Sequence, residues 1–283
     1  MFSSLIVLLL VLISFVMIYP LIYVLSASLS EPILMLKNTG PIFLPKGFSL
    51  EAYTAVLKKP EILTGYKNTI FYVVAGTTVN MLLTISLGYV LSRKGLFWNK
   101  YIMMLIVFTM YFNGGLVPTY LIVQNLGLIN SRLAVFIPTA ISTYNLIIMR
   151  TAFMALPVEI EEAAKVDGAR PLTILARIIF PLAAPTIAVI TLYYAVGQWN
   201  SWFQAVLYLR NQETYPLQLF LREILINNDQ TDMLIAVNDE KQMALSATIK
   251  YATIIVATLP ILCLYPFLQK YFTKGILVGA VKG

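Results

Sequence analysis

MFSSLIVLLLVLISFVMIYPLIYVLSASLS, residues 1–30, is the stretch that decides the class of fold, because it contains no Asp, Glu, Lys or Arg. At about 1.5 Å of rise per residue, roughly 20 apolar residues carry a helix across the ~30 Å hydrocarbon layer of a membrane. A secretory signal peptide is the alternative, but its apolar core has only about 7–15 residues and follows a positively charged segment, which is missing here. The stretch therefore predicts a membrane-spanning helix.

Further stretches without charged residues follow at positions 68–92, 101–131, 133–149, 178–209 and 251–269. Only 12% of the 283 residues are charged, whereas soluble domains have roughly one-quarter. The stretch 133–149 is the shortest and holds Pro138 and Asn145, so we expect its polar side to face other helices. We predict an all-α membrane protein with six transmembrane helices, forming a single transmembrane domain over residues 1–283.

The composition argues against several functional classes. With no His and only Cys263, the chain lacks the usual zinc ligands and cannot form an intrachain disulfide. It has no G-x-x-x-x-G-K-[ST] phosphate loop, so it is not itself an ATPase, and we find no nucleophile, base or metal constellation of an enzyme. We attribute the net charge of +7 to contact with anionic membrane lipid rather than nucleic acid. We expect no metal or cofactor on this chain.

The positions of the basic residues bear on the orientation in the membrane. If both termini are cytoplasmic, the 20 Lys and Arg residues divide equally between the inner and outer segments, so a raw count does not decide. The inner ones are concentrated in shorter connections close to the membrane, where the positive-inside rule has most force. We therefore expect both termini on the cytoplasmic side.

The connection ALPVEIEEAAKVDGARPLTILARIIFPLAAP, residues 155–185, breaks the membrane pattern. Pro157 suits the first position of a helix, and Asp167 with Gly168 supplies its end, with Gly168 in the left-handed conformation that glycine adopts without steric cost. A second helix can start at Pro171. This pattern predicts a short helix-turn-helix, which is either a docking element for another protein or a surface hairpin between two spans.

Six residues of this connection resemble the EAA motif of ABC importer permeases: Glu162, Ala163, Ala164, Gly168, Ile178 and Pro181. Phe180 stands where that family usually has Leu, which is a conservative apolar change. The resemblance implies that residues 150–181 form a cytoplasmic coupling loop whose helix docks in a cleft of an ATPase subunit. It also implies the binding-protein-dependent importer permease fold.

The resemblance extends over nearly the whole chain and is closest to the second permease subunit of maltose-type carbohydrate importers, in the branch for complex or acidic oligosaccharides. NGGLVPTYL from Asn113, GQWNSWF from Gly197 and LYPFLQKYFTKG from Leu264 are similar to segments of that branch. The resemblance implies a multi-pass protein of the cell membrane that pairs with a second permease, two ATPase subunits holding ATP and Mg, and an extracellular binding protein. It further implies that the tail at residues 275–283 reaches towards the ATPase pair.

A sugar needs flat aromatic faces for its C–H surfaces and amide or hydroxyl groups for its hydroxyls. We predict that the substrate path includes six such residues: Gln198, Trp199, Asn200, Tyr193, Tyr111 and Asn113. The alternative is that they form an interfacial aromatic belt or hydrogen-bond between helices. Two other functions stay open, namely an ABC permease for a non-sugar solute and an ion-coupled carrier, although the spans lack the ionisable groups that proton-coupled carriers need.

Overall fold

The computed structural model describes residues 2–93, 95, 97–235 and 240–280, and all of its regular elements in these ranges are helices. They are α1 Phe2–Ser28, α2 Pro32–Leu36, α3 Glu51–Leu57, α4 Pro60–Ser92, α5 Asn99–Tyr111, α6 Leu116–Asn125, α7 Leu133–Phe136, α8 Thr143–Met154, α9 Val158–Val166, α10 Pro171–Ile174, α11 Phe180–Leu182, α12 Ala184–Trp199, α13 Trp202–Tyr208, α14 Leu217–Ile235 and α15 Glu240–Ala280. Leu175–Ile179 is a π-helix and Gln212–Thr214 a 3-10 helix. The predicted all-α class is confirmed.

Within the described ranges, three helical segments are individually long and apolar enough to cross a membrane: Ser4–Ser28, Pro60–Ser92 and Lys241–Cys263. They match the first, second and sixth charge-free stretches. Two bent helix pairs bring the number of spans to as many as five, namely α5 with α6, bent by 115°, and Pro171–Leu182 with α12, bent by 87°. The first pair lies mainly in the third stretch, and the second pair overlaps the fifth stretch from Ile178 onward.

The fourth charge-free stretch differs from the expectation, because it does not form one spanning helix. It is divided between α7, with 4 residues, and α8, with 12 residues. Pro138 lies between them and has no backbone N–H for a helix. Ser142 then starts α8 by accepting a hydrogen bond from the Asn145 N–H at 3.4 Å, which is the usual role of serine at a helix N-terminus.

The chain packs as two units: unit 1 comprises Met1–Tyr66 with Leu217–Cys263, and unit 2 comprises Lys67–Pro216 with Leu264–Gly283. In unit 1, Ala27, Met35 and Ile42 form a small buried cluster, whereas the apolar window of α1 has no buried residue. A helix this apolar and this exposed needs lipid or protein around it. The predicted coupling loop and substrate-path residues all belong to unit 2.

Helix α4 belongs to unit 2 from Lys67 onward. Near its start, the Asn68 amide donates to the Glu213 and Tyr215 carbonyls at 2.7 and 3.0 Å, and the Tyr72 hydroxyl donates to the Thr214 carbonyl at 2.7 Å. From Asn68 to Arg93 the helical rise amounts to about 37 Å, more than the hydrocarbon thickness. The segment 213–215, which is bound near Asn68, and any segment bound to Arg93 therefore lie at opposite ends of a span.

Candidate functional site

Helix α9 ends in a Schellman motif. The Ala169 N–H donates to the Ala164 carbonyl at 2.9 Å and the Gly168 N–H to the Lys165 carbonyl at 3.0 Å. This pairing satisfies carbonyls at the helix end and requires a left-handed residue, and Gly168 has φ +79°. The predicted left-handed Gly168 and the second helix start at Pro171 are confirmed. Pro157 is one residue further out than predicted, since it caps α9 without being its first helical residue.

The predicted coupling residues divide into an outer and an inner face. Glu162, Ala163, Gly168 and Pro181 are exposed. Ala164 is buried in a core cluster with Ile174 and Ile179, and Ile178 packs against that cluster. The hairpin thus packs against the rest of unit 2 through its apolar side, and Glu162, the acidic first residue of the motif, is exposed on the other side.

Glu161, next to the predicted Glu162, makes the polar attachment of α9. Its side chain is 5% exposed, and it forms an ion pair with Arg93, which directly follows α4. The Lys165 ammonium lies 3.1 Å from the same carboxylate but is 59% exposed. The Tyr89 hydroxyl donates a hydrogen bond to Glu161 Oε1 at 3.4 Å. The Arg93 guanidinium also stacks 4.5 Å from the Tyr89 ring centre. The ion pair and the hydrogen bond therefore join α9 to the end of α4, and the contact between Arg93 and Tyr89 holds Arg93 in place there.

The end of α4 is itself held by neighbouring side chains. The Arg150 Nε donates to the Leu91 carbonyl at 2.9 Å, and the Asn99 amide donates to the carbonyls of Leu91 and Arg93 at 2.9 and 3.2 Å. The last carbonyls of a helix carry partial negative charge, so cations such as Arg93 and Arg150 stabilise this terminus. Glu161 is consequently bound to a well-anchored site.

The connection from α10 to α12 is irregular. Leu175–Ile179 forms a π-helix, and the chain turns at Ala183, which caps both α11 and α12. Pro181 and Pro185 lack the N–H that a continuous helix would need, so a break is expected in this region. The 87° bend carries the chain from the hairpin into α12, on which Gln198 and Trp199 lie.

A polar cavity of about 310 Å³ lies between α4, α8 and α12. Asn80, Asn145, Ser142, Thr139, Tyr193 and Gln198 are among its lining residues. Its wall includes the Tyr194 hydroxyl, which hydrogen-bonds to the Thr84 hydroxyl at 2.7 Å and accepts from the Ser142 N–H at 3.0 Å. The volume is at the lower end of the roughly 300–1,000 Å³ typical of small-molecule sites.

A second cavity, of about 330 Å³, shares Thr139 and Gln204 with the first and is lined by Asn113. Of the predicted path residues, Gln198 and Tyr193 line the first cavity and Asn113 the second. The other three lie elsewhere. Trp199 is 8% exposed but is not among the lining residues, Tyr111 is 76% exposed, and the exposed Asn200 donates its amide to the Val196 carbonyl.

Four residues of these sites are not among those predicted from the sequence: Glu161, Arg93, Asn80 and Asn145. Arg93 is the first charge after the stretch 68–92, and such a boundary residue could have been singled out as an anchor. Asn80 and Asn145 are amides inside charge-free stretches, where a polar side chain needs a partner or a cavity. Their meeting in one cavity depends on helix packing and has no sequence signal.

A family model described as the binding-protein-dependent transport system inner membrane component matches residues 1–278. The chain belongs to this family. The predicted resemblance is thereby confirmed, and this permease is a transport component of the membrane, made of helices of which several are long and apolar enough to span it.

Two Bacillus subtilis proteins are similar to the permease over most of their length. Protein LplC is 41% identical, covering 94% of this chain and 90% of that protein. The polygalacturonan/rhamnogalacturonan transport system permease protein YtcP is 40% identical, covering 100% of this chain and 99% of that protein. A chain of a bacterial ABC transporter that imports the acidic polysaccharide alginate has a similar structure, with a TM-score of 0.86, 33% identity and 96% of both chains covered.

Proposed function

We propose that this permease forms, with a second permease subunit, the membrane path of an ABC importer for an acidic oligosaccharide. Its exposed motif face, Glu162 with Ala163 and Gly168, is the surface on which an ATPase subunit docks. The single observation that carries the coupling role is the buried Glu161 ion pair with Arg93, because it joins that docking helix to a membrane-spanning one.

The contacts of α9 with Arg93 and with the core cluster transmit a force on α9 to the membrane-spanning helix α4. The apolar side of α9 is packed in the core cluster through Ala164, and its polar side is paired with Arg93 at the end of α4. A displacement of α9 by a partner therefore moves α4, on which Asn80 lines the polar cavity. Helix α4 thus connects the ATPase-docking helix α9 with the substrate path.

The cargo assignment rests on two relatives of similar length. YtcP is named for polygalacturonan and rhamnogalacturonan, and the importer of known structure transports alginate, an acidic polysaccharide. Both substrates contain sugars that carry carboxylates. We infer that this permease also handles an oligosaccharide rich in uronic acids, delivered by an extracellular binding protein.

The remaining parts of the assembly follow from the same proposal. Residues 150–181 face the cytoplasm together with both termini, and two ATPase subunits hold ATP and Mg. The N-terminal part of α4, near Asn68, then faces the outside. The proposed reach of the C-terminal tail concerns residues 275–283, of which 281–283 lie outside the described residues.

The test is purification of the complex through a tag on this chain, from cells that also make its binding protein, followed by reconstitution in liposomes. An ATPase should copurify, and ATP inside the vesicles should drive uptake of trigalacturonate when the binding protein is present. Uptake without ATP, or the absence of any copurifying ATPase, would refute the importer assignment. Uptake of a neutral oligosaccharide but not of trigalacturonate would refute the acidic cargo alone.

A further inference from the structure

Two amides of the first cavity are almost completely buried and have an oxygen without a hydrogen-bond partner in the described part of the chain. Asn80 is 1% exposed and Gln198 is 5% exposed, and the oxygens are Asn80 Oδ1 and Gln198 Oε1. Buried acceptors without a donor are unfavourable, so in native proteins they usually meet water or a ligand. Both residues line the same space.

The packing of α12 on α4 positions one of these amides. A Cβ at Gly76 would lie 2.8 Å from Gln198 Cδ and 2.9 Å from its Nε2, so the absence of a side chain on Gly76 makes room for the amide. Gly76 and Asn80 are four residues apart and therefore on the same face of α4. The Gln198 amide is thus brought to the face of α4 that carries Asn80.

This pair of amides lies deep in the membrane. Along the axis of α4, Asn80 is about 18 Å from Asn68 and about 20 Å from Arg93, at about 1.5 Å per residue. These residues mark the two ends of the charge-free stretch 68–92. The cavity is therefore at mid-depth, where water is scarce and polar groups are costly unless they serve a function.

We propose that Asn80 and Gln198 accept hydrogen bonds from the hydroxyl groups of a sugar ring as it passes this cavity. The inference rests on the proposed function and adds the chemistry of recognition. A hydroxyl is a donor, and donors are what the two oxygens lack. Tyr193, which is 44% exposed, adds an aromatic face for the C–H surface of the ring.

The lining of the cavity also indicates that it does not bind the carboxylate of an acidic sugar. Its lining residues carry no charge, so a sugar carboxylate would meet the amide oxygens without a cation to stabilise it. The cavity therefore binds the neutral hydroxyl edge of an acidic sugar. The cationic groups for its carboxylates belong to another part of the assembly.

Near-isosteric apolar substitutions test the proposal. Asn80→Leu and Gln198→Met remove the acceptors without adding a charge, and replacing an unsatisfied buried amide by an apolar side chain does not endanger folding. The matched control is Thr77→Val, because Thr77 is also in α4, is 8% exposed and has an unpartnered hydroxyl, but it does not line the cavity. Each variant complex is reconstituted with the binding protein, and KM and the maximal rate of trigalacturonate uptake are measured.

Asn80→Leu and Gln198→Met should each raise KM by about tenfold, the loss expected for one hydrogen bond worth about 1.4 kcal/mol, whereas Thr77→Val should leave KM unchanged. Wild-type KM in both cavity variants would overturn the proposal and leave a water-filled cavity, with the importer function intact. If the wild-type complex transports neither trigalacturonate nor a neutral oligosaccharide, the proposed function fails and the cavity assignment fails with it.

Discussion

Replacing Arg93 by Met is the most informative perturbation of the attachment between α9 and α4. The substitution keeps an unbranched side chain of similar length but removes the positive charge next to Glu161. Among the described residues, the Glu161 carboxylate, 5% exposed, then keeps Lys165 and Tyr89 as partners. We expect α9 to detach from Arg93 and from the core cluster more often, while the rest of unit 2 stays folded. The detached state of α9 is called undocked below.

The magnitude follows from the burial of the two partners. Removing one partner of a buried ion pair costs about 3–5 kcal/mol, because it leaves an uncompensated charge. Lys165 remains near the carboxylate but is 59% exposed, and exposed pairs contribute only about 0.2–1 kcal/mol. Because Arg93 is 25% exposed, we reduce the cost to about 2–4 kcal/mol, which corresponds to about a 30- to 700-fold increase in the undocked population.

The undocked population can be measured by cysteine labelling. Cys263 is the only native cysteine, so it is first replaced by Ser. Ala164→Cys then introduces a thiol at a position that is 6% exposed and packed in the core cluster. A maleimide reaches this thiol only when α9 undocks, and with fast reclosing the labelling rate reports the open population.

Two controls decide whether charge pairing is the cause. Lys165→Met removes the exposed partner and should change the labelling rate by about fivefold or less. Glu161→Gln combined with Arg93→Met removes both charges and should restore slow labelling, since no uncompensated charge remains. Equal labelling rates for Arg93→Met and Lys165→Met, or no rescue in the double variant, would refute the role of the ion pair.

Other substitutions test neighbouring features of unit 2. Gly168→Ala places a side chain at φ +79° and should cost about 1–2 kcal/mol, lowering uptake per ATP hydrolysed, whereas Gly95→Ala, also in open space but without positive φ, should have no effect on this ratio. Gly76→Ala should assemble normally, because the Gln198 amide can rotate away, but it should raise the KM of uptake by displacing that amide. Asn68→Ala removes the donor to two backbone carbonyls and should lower the Tm of the purified complex, since each unsatisfied buried group costs about 1–3 kcal/mol; an unchanged Tm would mean that water replaces the amide.

Much of the coupling hairpin could be predicted from local chemistry. Gly168 and Pro171 act within a few residues of their own position, so the end of α9 and the start of α10 follow from backbone preferences. The split of 133–149 into α7 and α8 could not be predicted in the same way. The apolar composition of this stretch favours a span, whereas Pro138 and Ser142 favour a break. Local signals of opposite sense are resolved only by packing.

The amino-acid sequence was sufficient for the membrane class, the family and the turn at Gly168 that ends α9, because hydropathy, motif spacing and backbone preference are properties of consecutive residues. The tertiary structure alone selected Glu161 over Glu162 as the buried anchor, since this depends on which face of α9 meets Arg93, a residue far away in the chain. It also brought Asn80, Asn145 and Gln198 to one cavity. Side chains on three separate helices become neighbours only through the angles and depths at which those helices pack.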